Sequence, residues 1–219
     1  MKISSLFVLF TVLYSLTGCT YAATQNNSIN IPVTWYKSFV MPSMLSIDFK
    51  IKTFADIHKM LNMKWYSKFT VVEADKPDIL IPISTCHEYF AITDKNIYSI
   101  PEWNNAALMY ITTQCQVTKI ISDGKPSKKS FMNNIKFDAD LPKKLPPQMA
   151  MMISTEESKR ILANKNITSW DQADPVLKIK KLGPYRAKYY DKGGSEDLQL
   201  VAKGDFNHDG IEDMLLIIN

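Results

Sequence analysis

Near the end of the chain the stretch GDFNHDGIEDMLL sets side-chain oxygens at Asp205, Asn207, Asp209 and Asp213, two or four residues apart. With Asp205 as the first position, oxygens recur at the third, fifth and ninth, and Gly210 stands where a sharp bend is needed. A hard divalent cation such as calcium takes about six to eight oxygens. Alternate side chains on a coiled loop can converge on one ion while a backbone carbonyl, here that of Ile211, turns inward. Glu212 and His208 hold intervening positions and are expected to face outward. Carboxylates crowded into such a turn repel one another, so cation binding and local folding are expected to be coupled. The competing reading is an acidic β-hairpin in which Gly210 serves only the turn.

The twelfth position, a bidentate glutamate in a helical EF-hand, is Leu216, and the flanks LQLVAKG and MLLII are β-like rather than helical. The stretch resembles the calcium loops of FG-GAP and VCBS repeats, found in integrin-type propellers and many exported bacterial proteins. Gly204, the Asp/Asn steps, Gly210, Asp213 and the apolar strand carry the likeness over about the last twenty residues. It implies that Asp205, Asn207, Asp209 and Asp213 are side-chain ligands of calcium. Extracellular sites are weak, on the order of 0.1 to 1 mM, and act as staples. The motif has no second copy upstream, which excludes a full propeller.

At the other end, Met1-Lys2 precedes the apolar run SSLFVLFTVLYSLTG, short for a membrane span and suited to the core of an export signal. Leu16-Thr17-Gly18-Cys19 follows and resembles the bacterial lipobox. That likeness implies removal of residues 1–18, a diacylglycerol on the Cys19 thiol, a tether over residues 19–30, and, because Thr20 is not aspartate, the outer membrane. The partner is then a membrane, reached through several acyl chains. The alternative is ordinary cleavage after Thr20-Tyr21-Ala22, which releases a soluble periplasmic protein.

The chain has three cysteines. With Cys19 acylated or removed, Cys86 and Cys115 remain as a pair in an oxidising compartment, where a disulfide is expected. The alternative makes Cys86 a thiol nucleophile beside His87. A formal charge of +4 with no basic helix, finger or aromatic RNA platform argues against a nucleic-acid partner; Lys125, Lys128, Lys129 and Lys136 read as a solvated face. Among catalytic patterns, His87-Glu88 lacks a second histidine at zinc-protease spacing, and Ser122 with Lys125 lacks any companion motif. Catalytic residues are therefore not assigned. The expected role is binding or structural, toward an envelope protein or glycan, with a hydrolase of peptidoglycan or another glycan as the rival.

The elements that must position these groups read as α+β. Alternation from Ile29 to about Lys52 predicts short strands; Thr53 caps a helix FADIHKMLN; strands follow at 68–73 and 79–83, parted by the turn DKPD. Residues 101–124 mix helical periodicity with β-like composition, and their length and ends favour a helix. A strand is expected at 135–137. The proline-rich LPKKLPP reads as a boundary between an α+β region over 31–141 and a region over 148–219, although 31–219 also fits one domain. Ser154 with Glu157 opens a helix, and VLKIKKL, YRAKYYD, EDLQLVAKG and MLLII predict a C-terminal antiparallel meander. The adjacent aromatics Trp35-Tyr36, Trp65-Tyr66, Tyr89-Phe90 and Tyr189-Tyr190 are expected to place one member inward and one outward.

Overall fold

The computed structural model describes residues 30–36, 42–132, 135–150 and 154–218. Cys19, the export signal and nearly all of the tether lie outside them. The fold is α+β, with helices and antiparallel sheets and neither a closed barrel nor a propeller. The chain divides into a central unit, Trp35–Lys125, and a terminal unit built from Pro126 onward with the described residues up to Thr34.

In the central unit, α1 (Phe54–Met60) starts where the Thr53 N–H donates to Asp56 Oδ2 at 2.9 Å, which satisfies one of the amides a helix start leaves unpaired. Its apolar side buries Ile57 and Met60. The strand β2 (Phe69–Glu73) lies between β3 (Lys76–Ile83) and β4 (Ile97–Ile100), antiparallel to both. Only Ala74 and Asp75 turn the first hairpin, since Glu73 pairs with Lys76. Pro77 and Asp78, expected in the turn, stand in β3 instead; β3 is an edge strand, where a proline loses no ladder bond. The helix α2 (Cys86–Phe90) opens on a reciprocal cap: the Glu88 N–H donates to Thr85 Oγ1 at 3.1 Å, and the Glu88 carboxylate accepts from the Thr85 N–H. The long α3 (Asn105–Asp123) buries Leu108, Ile111, Cys115, Thr118 and Ile121, one stripe at three- and four-residue steps. Cys86 and Cys115 form a disulfide, stapling α2 to α3.

In the terminal unit, Ser154 and Ser169 cap α4 (Thr155–Ala163) and α5 (Trp170–Ala173), each accepting from the N–H three residues on. Strands β5 (Lys178–Gly183), β6 (Arg186–Tyr190), β7 (Ser195–Gly204) and β8 (Asp213–Ile218) run as the expected antiparallel meander. The sheet is completed by β1 (Thr34–Trp35), at which the two units divide, in the order β1-β7-β6-β5 with β8 also on β7. The buried face carries Ala187 and Tyr189 on β6 and Glu196, Leu198 and Leu200 on β7, and the Trp170 ring lies 5.1 Å from that of Tyr189.

Three expectations are corrected. Between residues 30 and 52 the described residues hold the two-residue β1, a 3-10 turn at Pro42–Met44 and isolated bridges at Ile31 and Leu45 rather than a run of strands; Pro32 and Pro42 lack ladder donors and Ile47 stays exposed. No strand forms at residues 135–137, although Phe137 is buried. The 141–147 run is not a boundary. Its Leu141 and Leu145 are buried, the Leu145 carbonyl accepts from the Trp170 N–H at 2.8 Å and the Pro142 carbonyl from Asp171, so the run is tied onto α5 inside the terminal unit.

Closing a loop of 29 residues constrains the unfolded chain by roughly 3 to 4 kcal/mol. The paired change Cys86→Ser with Cys115→Ser is expected to lower denaturant stability by about that amount. Non-reducing peptide mass spectrometry should recover the two cysteines in one linked peptide pair, whereas two alkylatable thiols in native protein would contradict the bridge.

Candidate metal centre

The loop between β7 and β8 is organised by its own acidic side chains. Asp205, 4% exposed at the end of β7, accepts from the Asp209 N–H through Oδ1 at 3.0 Å and from the Gly210 N–H through Oδ2 at 2.9 Å. Asn207 Oδ1 also accepts from the Asp209 N–H at 3.0 Å, and Asp209 Oδ1 accepts from the Ile211 N–H at 2.7 Å. Asp213, the first residue of β8, closes the turn by accepting from the Phe206 N–H at 2.9 Å. Two residues take positive φ: Gly210 at 85° and His208 at 66°. Glycine adopts that backbone without a Cβ clash, and His208 pays the usual local strain of a side chain held there. Gly204 answers a different need, because a Cβ on it would come within 3.0 Å of Val33.

A second strip of chain grips the outside of this loop. The Lys128 and Lys129 N–H groups both donate to the Gly210 carbonyl, at 2.8 and 3.2 Å, and the Glu212 N–H donates to the Lys129 carbonyl at 2.9 Å. Lys129 and Ile211 form a parallel bridge. Glu212 was expected to face solvent and does not: it is buried, accepts from the Ser130 hydroxyl and lies 3.9 Å from the Lys203 ammonium. The sequence rule placed it away from the loop's interior, and the partner strip that covers that side is a tertiary feature. His208 is exposed as expected.

Asp205, Asn207, Asp209 and Asp213 are thus gathered in one hydrogen-bonded loop, with the Ile211 amide in the same network. Burial, the two N–H bonds it accepts, and the neighbouring Asp209 and Asp205 charges act on the Asp213 carboxyl, and the net effect lifts it above the usual carboxylate range, burial being the largest cause. Among the described residues none of the three aspartates has an ion-pair partner; they accept from backbone amides, and Asp209 Oδ2 also from the Asn207 side-chain amide at 3.1 Å. A carboxylate offers about four acceptor positions, so these bonds leave lone pairs over. That donor set suits a hard cation in kind. Among the described residues no group of three or more His, Cys, Asp or Glu side chains is placed as a metal ion held by those alone would need, and Asn207 and the Ile211 carbonyl are the further oxygens in this loop.

Other chemistry-bearing groups fall elsewhere. Cys86 is in the disulfide, which removes it as a nucleophile, and Glu88 serves the α2 cap. Ser122 meets His58 Nδ1 at 2.8 Å, a pairing across 64 residues that no spacing rule shows. Ser122 sits in the last turn of α3 and His58 on α1, and the unpaired backbone groups at that end of α3 are carbonyls rather than N–H donors. A shallow hollow of about 280 Å³ is lined by Lys136, Asp138, Asp140 and Lys144. Lys143 holds the Asp140 carboxyl below its ordinary range, the reverse of what a general acid needs.

One group escaped the sequence reading. Glu196 is 4% exposed on the buried face of β7, paired across the ladder with Tyr189, and its Oε2 has no hydrogen-bond partner among the described residues. The signal was present, since strict alternation through Glu196, Leu198 and Leu200 puts all three on one face. Burial first, then the charges of Asp191 and Asp174, raise its carboxyl from 4.5 to about 8. The folded state therefore holds a proton between these values that the unfolded chain has lost, and stability falls as pH rises through this window, by at most about 1.4 kcal/mol per unit. The melting temperature is expected to drop from pH 5 toward pH 8. In Glu196→Gln the slope should flatten, and an unchanged slope would remove Glu196 as its source.

No family model matches the chain, and no curated protein or solved structure matches it either.

Proposed function

We propose that the chain is an exported bacterial envelope lipoprotein, anchored through Cys19, whose C-terminal sheet is stapled by calcium and whose role is binding or structural rather than catalytic. The observation that carries the metal part is the concentration of Asp205, Asp209 and Asp213 in one turn with no ion-pair partner among the described residues, with Asp205 almost wholly buried. Asp205, Asn207, Asp209 and Asp213 would supply side-chain oxygens and Ile211 its carbonyl. Calcium there neutralises the mutual repulsion of the three carboxylates and ties the end of β7 to the start of β8. Because the strip 128–130 is bonded to the same loop, the staple also fixes that segment.

The anchor rests on the LTGC stretch alone. Among the described residues no helix is long and apolar enough to cross a membrane. The rival hydrolase reading gains nothing from the hollow at Asp138 and Asp140, for the reason already given.

Calcium at about ten times a millimolar dissociation constant adds roughly 1.4 kcal/mol of stability by linkage. The melting temperature is therefore expected to climb by a few degrees on calcium titration. Asp209→Ala should abolish the climb, and an unmoved melting curve in the parent protein would overturn the site. Separately, Cys19→Ser should end labelling by a fatty-acid probe; persistent labelling would contradict the anchor.

A further inference from the structure

The solvent face of the terminal sheet carries a concentration of positive charge that folding does not call for. Lys178 and Lys180 on β5 and Lys188 on β6 alternate with inward residues, so all three project from one face. Lys180 and Lys188 are direct cross-strand partners, an arrangement of like charges that weakens a sheet. The Tyr190 ring lies between Lys178 and Lys188, with the ammonium groups 5.8 and 6.0 Å from its centre. Arg186 extends the row and Asp197 interrupts it, paired across from Lys188 but held by both arms of the Arg186 guanidinium at 2.8 and 2.6 Å. Four cations thus face one carboxylate.

Edge protection accounts for part of this pattern, since lysines on an exposed edge strand deter pairing with other chains. It does not account for Lys188, because β6 is interior, between β5 and β7. Nor does it account for the apolar groups at the two ends of the lysine row. Leu177 is 64% exposed at one end; Leu182 and Tyr185, 42% and 43% exposed, flank the β5–β6 turn at the other.

We infer that this face of β5 and β6 rests on an anionic lipid surface, with Lys178, Lys180 and Lys188 against the phosphate headgroups and Leu177, Leu182 and Tyr185 in the interfacial layer. Basic side chains near an anionic bilayer each strengthen binding, and exposed Leu and Tyr gain by leaving water at its boundary. Headgroup phosphates would also relieve the repulsion between Lys180 and Lys188. A hydrated polyanion, such as a nucleic acid or an acidic glycan, matches the lysines but offers nothing to bury the Leu and Tyr side chains. The inference is independent of acylation at Cys19, because an acyl chain inserts into neutral and anionic bilayers alike.

The test uses the full chain with Cys19→Ser, co-sedimented with vesicles of phosphatidylcholine alone or mixed with phosphatidylglycerol. Binding is expected to be stronger to the anionic vesicles and to weaken with salt. The triple variant Lys178→Gln, Lys180→Gln, Lys188→Gln should lose roughly a hundredfold in anionic-vesicle affinity. It should melt at or above the parent temperature, since it removes a like-charge pair. Leu182→Ser with Tyr185→Ser should weaken binding at unchanged charge. Equal binding to both vesicle types, or full binding by the triple variant, would overturn the proposal and leave the lysines as edge protection. Retention on a heparin column without any preference for anionic vesicles would overturn it in favour of a soluble polyanion.

Discussion

A carboxylate taken out of water must have its charge met, and the way each one is met organises this protein. Nearer the surface, the half-covered Asp56 and the exposed Glu88 are met by the amides of the helix starts they cap, which fixes where α1 and α2 begin. Asp191 turns the β6–β7 connection by accepting from the Gly193 and Gly194 N–H groups. Glu73, buried on β2, is met by Lys95 and Lys76, and Asp197 on the open face by Arg186. Among the described residues Glu196 Oε2 has no such partner, and burial favours the protonated form of its carboxyl. In the β7–β8 loop three aspartates share amides but have no cation among the described residues, and the proposed calcium supplies what the rest of the fold supplies elsewhere with lysine, arginine or a proton.

The same constraint explains why a short loop matters to a large part of the terminal unit. Asp205 directly follows β7 and Asp213 begins β8, so the bonds they accept set the register in which the last strand pairs. Gly210 offers its carbonyl to Lys128 and Lys129, and Glu212 reaches Ser130, so the strip after Pro126 is held by the side of the loop opposite its acids. Loosening of the acidic turn by repulsion would reach β8 and this strip together.

Much of this was legible in the sequence because it is local. The α3 stripe follows from period, the start of α4 from Ser154 and Glu157, and the C-terminal meander from alternation broken by Gly-Pro and Gly-Gly. The short α2 and α5 were missed although Thr85-x-x-Glu88 and Ser169-x-x-Gln172 both carry a cap signature, because each helix is too short to show periodicity. The 141–147 run misled for a related reason: its prolines look like a linker, and only the contacts of Leu141 and Leu145 reveal an anchored segment. In the acidic loop the alternation of oxygens was plain, while the burial of Glu212 by residues some eighty positions upstream was not. The lysine face likewise emerges only when β5 and β6 are placed in register.

The central claim is that a cation completes the charge balance of the β7–β8 loop. Isothermal titration calorimetry of the metal-stripped protein with calcium tests it most directly. One ion per chain is expected, with a dissociation constant on the order of 0.1 to 1 mM, and weaker binding in Asp205→Asn, which removes a carboxylate ligand. Heats indistinguishable from dilution across millimolar calcium, in protein that is folded by circular dichroism, would contradict it.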